Sequence, residues 1–354
     1  MNLRILHIAL FLILGAALLN ACSLVDEDTR DCEIDYKMDY ELQLVTNLTT
    51  ELQTQLSLAA DVSVSTALEA QMRTIFTDYA HDVDLSFYEV AGDSLRLHHE
   101  SHIMDAAETS YALFIPVRKY MHLAVANIEN NPIVQLQEGE KCHEANFHQV
   151  VQDTLDCHTT GLFSARLLMD VREGIDQQFN VSLYMANCAT SIVLDTLGSG
   201  IKDARVFMSG FATGFNLADS TYRFDYTPII RPMKVDVKDD PRAPLCFASV
   251  NFPSRDIPEG TKTVIDGDDP FISEGAENAL WYIRVYCQLK DGKTTETILG
   301  VHRPLRPGQF DVTRARVRND GAADPITPDG ETDPTVGVSV TLDWTPGIVI
   351  DVPL

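Results

Sequence analysis

Two short stretches hold most of the side chains that can do chemistry. Cys142, His143, His148, Cys157 and His158 put thiols and imidazoles close together, a ligand set that suits zinc. Their spacing matches no zinc finger, and in an exported chain the two thiols serve better as a disulfide. Closing the short Cys142–Cys157 loop would stabilise the fold by about 3 kcal/mol in the chain-entropy view. His98, His99, Glu100 and His102 form the second group. On a strand their side chains would alternate between faces, and a solvated hairpin tip accounts for them without any ion. Asp266, Asp268 and Asp269, and the acidic stretch 324–333, carry hard oxygen ligands of the kind calcium takes. Neither has the alternating ligand pattern with a distal Glu, so both read as acidic surface loops. We assign no metal and no cofactor from the sequence.

No nucleophile elbow, no His-Glu-x-x-His, no phosphate-cradling glycine loop and no dinucleotide fingerprint occurs. Carboxylate pairs of the glycosidase type cannot be picked out among 52 acidic residues. The chain therefore reads as a non-enzymatic protein.

The most informative cysteine is Cys22. It follows one cationic residue, Arg4, and an apolar run starting at Ile5, which together make a cleavable export signal over 1–21. Leu19 and Ala21 before Cys22 resemble the lipobox of bacterial lipoproteins, in which the cysteine is acylated and becomes the N-terminus. Each buried methylene adds roughly 0.8 kcal/mol, so two or three acyl chains hold such a protein stably on a membrane that it does not cross. Ser23 argues for the outer membrane. The acidic cluster Asp26, Glu27 and Asp28 resembles the surface-export signal of lipoproteins in gut and oral anaerobes. The expected location is the cell outer membrane, as a surface-exposed lipoprotein.

With Cys22 lipidated, six of the seven cysteines remain, an even number that permits disulfides in fifteen possible connectivities. Cys246 and Cys287, on two strand-like segments, form the next candidate pair after Cys142 and Cys157. The formal charge of −25 excludes nucleic acid and anionic lipid head groups as partners, since no Lys/Arg run offsets it.

Short β-branched and aromatic runs separated by Gly, Pro, Asp and Asn dominate what remains: 85–90, 111–115, 122–126, 180–185, 204–208, 281–286 and 297–299. One helix is expected over about 65–79, where Leu68, Met72, Ile75, Phe76 and Tyr79 recur at helical spacing. The fold class is all-β, with an acidic tether over 22–35 and two sandwiches over 36–174 and 175–354. No sequence repeat relates the halves. In the last segment Val336, Val338, Val340, Leu342, Trp344, Ile348, Ile350, Val352 and Leu354 all fall on even positions, interrupted by Thr345, Pro346 and Gly347. Such alternation buries one face, as a terminal hairpin or as one long kinked strand.

The chain resembles the FimB-type fimbrial anchor lipoproteins of the fimbrillin superfamily. The resemblance rests on the lipobox ending at Cys22, the acidic pair Asp31-Cys32, the segment 83–93, and the runs 111–120 and 122–127; it covers roughly 22–190. The family often has Pro after the Asp-Cys pair, where this chain has Glu33. The resemblance implies tandem transthyretin-like Greek-key sandwiches, attachment to the outer membrane through lipid, and a fimbrial stalk subunit as partner. A host or bacterial surface receptor is a further possible partner. Joining would occur by strand addition, with Ile348, Ile350, Val352 and Leu354 as the candidate donor strand. The alternative is a glycan-binding surface lipoprotein of a nutrient-uptake system, which would need an exposed aromatic platform.

Overall fold

The computed structural model describes residues 35–45, 62–77, 80–90, 94–103, 110–174, 177–197, 200–237, 244–256 and 275–342. Its first half contains β1 (Asp35–Val45), the helix α1 (Val62–Ile75), β2 (Asp82–Glu89), β3 (Arg96–Ile103), β4 (Ser110–Pro116) and β5 (Lys119–Ala126). There follow β6 (Val134–Gln137), β7 (Asn146–Gln149), β8 (Thr154–Asp156), β9 (Phe163–Asp170) and β10 (Gln178–Met185). The second half starts with β11 (Cys188–Asp195), β12 (Ile201–Ser209), β13 (Gly214–Asn216), β14 (Thr221–Arg223), β15 (Ile229–Arg231) and β16 (Met233–Val235). It ends with β17 (Leu245–Asn251), β18 (Trp281–Leu289), β19 (Thr294–Val301), β20 (Phe310–Val317), β21 (Ala323–Ile326) and β22 (Val336–Thr341). The fold is all-β, as expected, and the runs 85–89, 111–115, 122–126, 180–185, 204–208, 281–286 and 297–299 lie in strands, as do residues 336–341 of the alternating terminal segment.

Four sheets form. The first has the order β3-β2-β5-β9-β10-β1-β4, the second β16-β17-β11-β20-β21, the third β22-β19-β18-β12-β15-β8, and a small fourth β14-β13-β7-β6. β1 pairs antiparallel with β4 and parallel with β10. β11 repeats that arrangement, antiparallel with β17 and parallel with β20. Each half thus sets its opening strand between an antiparallel and a parallel neighbour, a correspondence with no counterpart in the sequence.

Alternation along the strands explains the layers. In β11, Cys188, Ile192 and Leu194 join the core shared with the third sheet, while Ala189 and Val193 join the core shared with α1 and the first sheet. β11 reads as a continuous buried run because both its faces are covered. The outer face of the first sheet, through Tyr88, Leu123 and Val125, packs on Phe147 and Phe215 of the fourth sheet.

The helix begins and ends earlier than the spacing implied. Its buried face is Val64, Leu68, Met72 and Ile75, with Phe76 buried just beyond its end. The carbonyl of Ile75 accepts a hydrogen bond from the Gly161 N–H, which caps that terminus from outside the helix. Tyr79 lies outside the described residues. β10 pairs with β1 and β9 and so belongs to the first sheet. The chain passes to the second sheet after Met185. Backbone pairing, which no linker composition marks, sets that point.

Candidate functional site

An edge strand with incompletely covered apolar residues is the feature best suited to capturing another chain. β22 pairs with β19 from Val301↔Val336 to Glu296↔Thr341 and is the last strand of its sheet. Its entry is fixed by charge. Arg303 bonds Asp311 (3.2 Å) and Asp333 (2.9 Å), and the His302 N–H donates to the Thr335 carbonyl at 3.0 Å. Burial raises the Asp333 carboxyl, but hydrogen bonds from Thr335 and the charge of Arg303 outweigh it and leave the group below the usual range. On the outward face, a Cβ at Gly337 would lie 2.7 Å from the Gly275 carbonyl, so glycine lets that segment cross β22 closely. The even-numbered residues emerge progressively: Val336 is 6% exposed, Val340 37% and Leu342 55%. The apolar alternation therefore outruns the sandwich that buries it.

A second feature is a half-open cleft of about 600 Å³ between the first and fourth sheets. Arg166, Asn180, Ser182, Tyr184, Phe215 and Tyr222 line it. β9 and β10 form its floor and pair only at Tyr184↔Ser164 and Met185↔Phe163. Tyr184 is 60% exposed, whereas Trp281 is fully buried with its indole N–H donating to the Arg303 carbonyl at 2.9 Å. Trp344 lies outside the described residues.

The cysteine expectations need correction. Cys142, Cys157, Cys188, Cys246 and Cys287 are all buried free thiols. Cys142 lies in the core under the fourth sheet and Cys157 in that of the third, so a short sequence separation does not bring them together. Cys246 points from β17 toward α1 and the first sheet, while Cys287 points into the core between the second and third sheets. Burial pushes the thiols of Cys246 and Cys287 up to about 12, which keeps them protonated and unreactive. The zinc alternative fails for the same reason of placement. His158 is fully buried beside Gln149 (2.9 Å) and pushed down to about 3 by that burial, and His143 is exposed. Cys22, Cys32, the Asp266 to Asp269 cluster and the donor candidates Ile348, Ile350, Val352 and Leu354 lie outside the described residues.

The 98–102 histidines sit on β3, an edge strand rather than a hairpin tip. His98 and His102 bracket Glu100 at 2.6 and 2.9 Å, and the His98 bond foremost holds that carboxyl below its usual range. His99 faces the other way, 2.6 Å from Asp84 and 3.5 Å from Glu138. The sequence reading missed both carboxylates. Asp84 was findable, since it is the polar member of an alternating strand with Val83, Leu85 and Phe87 on the opposite face. Glu138 was not, because only folding returns the end of β6 to β3.

No family model matches the sequence, and no curated protein matches it significantly. Solved structures do. A candidate adhesin from Bacteroides ovatus aligns with a TM-score of 0.51 at 10% identity, over 89% of this chain and 96% of that one. This chain shares its fold. A candidate polysaccharide-binding protein from Bacteroides thetaiotaomicron aligns with a TM-score of 0.49 at 10% identity, over 85% and 96% of the two chains. The fimbrial anchor protein Mfa2 from Porphyromonas gingivalis aligns with a TM-score of 0.44 at 8% identity, over 87% and 98%.

Proposed function

We propose that this chain is a non-enzymatic surface lipoprotein that anchors or caps a fimbria, meets a stalk subunit by strand addition, and serves adhesion. The observation that carries the reading is the exposure gradient along β22. Apolar residues at every even position are buried at Val336 and increasingly uncovered by Val340 and Leu342, and the same pattern continues in the sequence to Leu354. A strand of this kind offers backbone hydrogen bonds for affinity and alternate side chains for register in a partner's groove. The shared fold with a candidate adhesin and the lipobox at Cys22 are consistent with it. Among the described residues no helix is long and apolar enough to cross a membrane.

Truncation after Pro346 tests the donation. The shortened chain is expected to keep a nearly unchanged melting temperature and to lose capture of its stalk subunit in a pull-down. A large fall in melting temperature would make 347–354 part of the core and end the donor-strand reading.

The cleft beside Tyr184 favours a second reading, glycan binding on a nutrient-uptake lipoprotein, because an exposed tyrosine flanked by Asn180, Ser182 and Arg166 can stack on and hydrogen-bond a sugar. Saturable oligosaccharide binding that is lost in Tyr184→Ala would favour it over the fimbrial one.

A further inference from the structure

We infer that Asp84, His99 and Glu138 form a binding site for one divalent transition-metal ion of the zinc class. Their ligand atoms all lie within 4.8 Å of one another, the one such group among the described residues. Asp84 comes from β2 and His99 from β3, diagonal neighbours across the ladder in which Ser86 faces His99. Glu138 arrives just after β6 and is held from two sides. The Tyr88 hydroxyl donates to its carbonyl, and Arg96 pairs with one carboxylate oxygen, leaving Oε1 toward His99. An outer contact of this sort orients a metal ligand without occupying its coordinating atom.

The decisive geometry is at one atom. His99 Nε2 lies 2.6 Å from Asp84 Oδ2 and 3.5 Å from Glu138 Oε1, so a single nitrogen faces two carboxylates. One proton there can serve only one of them fully, whereas a divalent cation serves both. Ligands of a tetrahedral zinc ion at ~2.1 Å stand ~3.4 Å apart, so the Glu138 contact already fits and Asp84 needs to move by roughly 0.8 Å. Side-chain exposures of 29% for His99, 13% for Asp84 and 37% for Glu138 leave an open side for entry and for a fourth, water ligand. The imidazole donor favours zinc-like ions over calcium or magnesium. Bound there, the ion would tie edge strand β3 to β2 and to the end of β6 in the fourth sheet.

The test uses the full-length chain in detergent, stripped with chelator and titrated calorimetrically with zinc chloride, then optically with cobalt(II). Expected are one equivalent bound, affinity lowered on the order of 10-fold or more in His99→Ala and in Glu138→Gln, and no change in a His98→Ala/His102→Ala variant. Glu138→Gln alters the most exposed ligand and so keeps the test readable if His99→Ala folds poorly. Cobalt should give weak d–d bands without the intense near-ultraviolet band of thiolate ligation. Absence of saturable binding, a thiolate band, or loss confined to the His98/His102 variant would each overturn the assignment.

Discussion

Among the described residues, His122 and His158 are the two imidazoles that the fold removes entirely from water. His122 stacks on Phe87 with ring centroids 4.2 Å apart and bonds the Tyr40 hydroxyl, while His158 lies against Phe252. Burial pushes both down to about 3 from the ordinary 6.5 of an imidazole. The sign follows directly. Each ring is neutral when folded and takes up a proton when unfolded at acid pH, so stability is full above about pH 6.5 and falls as pH drops from there toward 3. Between pH 6.5 and 5.5 the two together should cost about 2 kcal/mol of unfolding free energy. Urea titrations at the two pH values check this, and equal free energies would show that the rings are not held neutral. The burial of neither ring was legible in the sequence, where His158 stood out only as a candidate zinc ligand, because burial comes from strands and loops packed from far along the chain.

At the scale of elements, β22 is expected to behave as two half-strands. Val336 closes the core between the second and third sheets, whereas Val340 lies at its margin. An unpaired carboxylate at the first position has no partner and no water. Val336→Asp should therefore destabilise by about 3 kcal/mol or more, and Val340→Asp by about 0.5 kcal/mol. Denaturant unfolding of the two variants measures the contrast, and equal losses would mean that the core extends to the end of β22. The acidic stretch before β22 belongs to this scale too. Its Asp333 holds Arg303 and Asp324 lies 3.5 Å from Arg318, so these two carboxylates serve as ion-pair partners within the fold.

For the whole molecule, the second sheet is the central layer, with one face buried against α1 and the first sheet and the other against the third sheet, so that two cores meet across it. The proposed function gives this body a membrane attachment. If Cys22 carries that attachment, Cys22→Ala should move the protein from the membrane to the soluble fraction. Retention of the variant on membranes after a carbonate wash would refute lipid anchoring.

The sequence by itself determined the class of the fold, the face of α1 formed by Leu68, Met72 and Ile75, and the alternation of β22. Each is a local pattern whose period equals that of the element it makes. It also carries Arg4, the apolar run from Ile5 and the Leu19 to Cys22 stretch, the linear pattern on which the expectation of an export signal and lipobox rests. The tertiary structure alone decided which residues meet. Cys142 and Cys157 are near in sequence yet point into different cores, while Glu138 is far from Asp84 and His99 and closes on them. The parallel pairings of β1 with β10 and β11 with β20 are likewise long-range. The reason is physical: a side chain's face follows from its neighbours, but its partner depends on how sheets stack, and that is set by burying all the apolar faces at once.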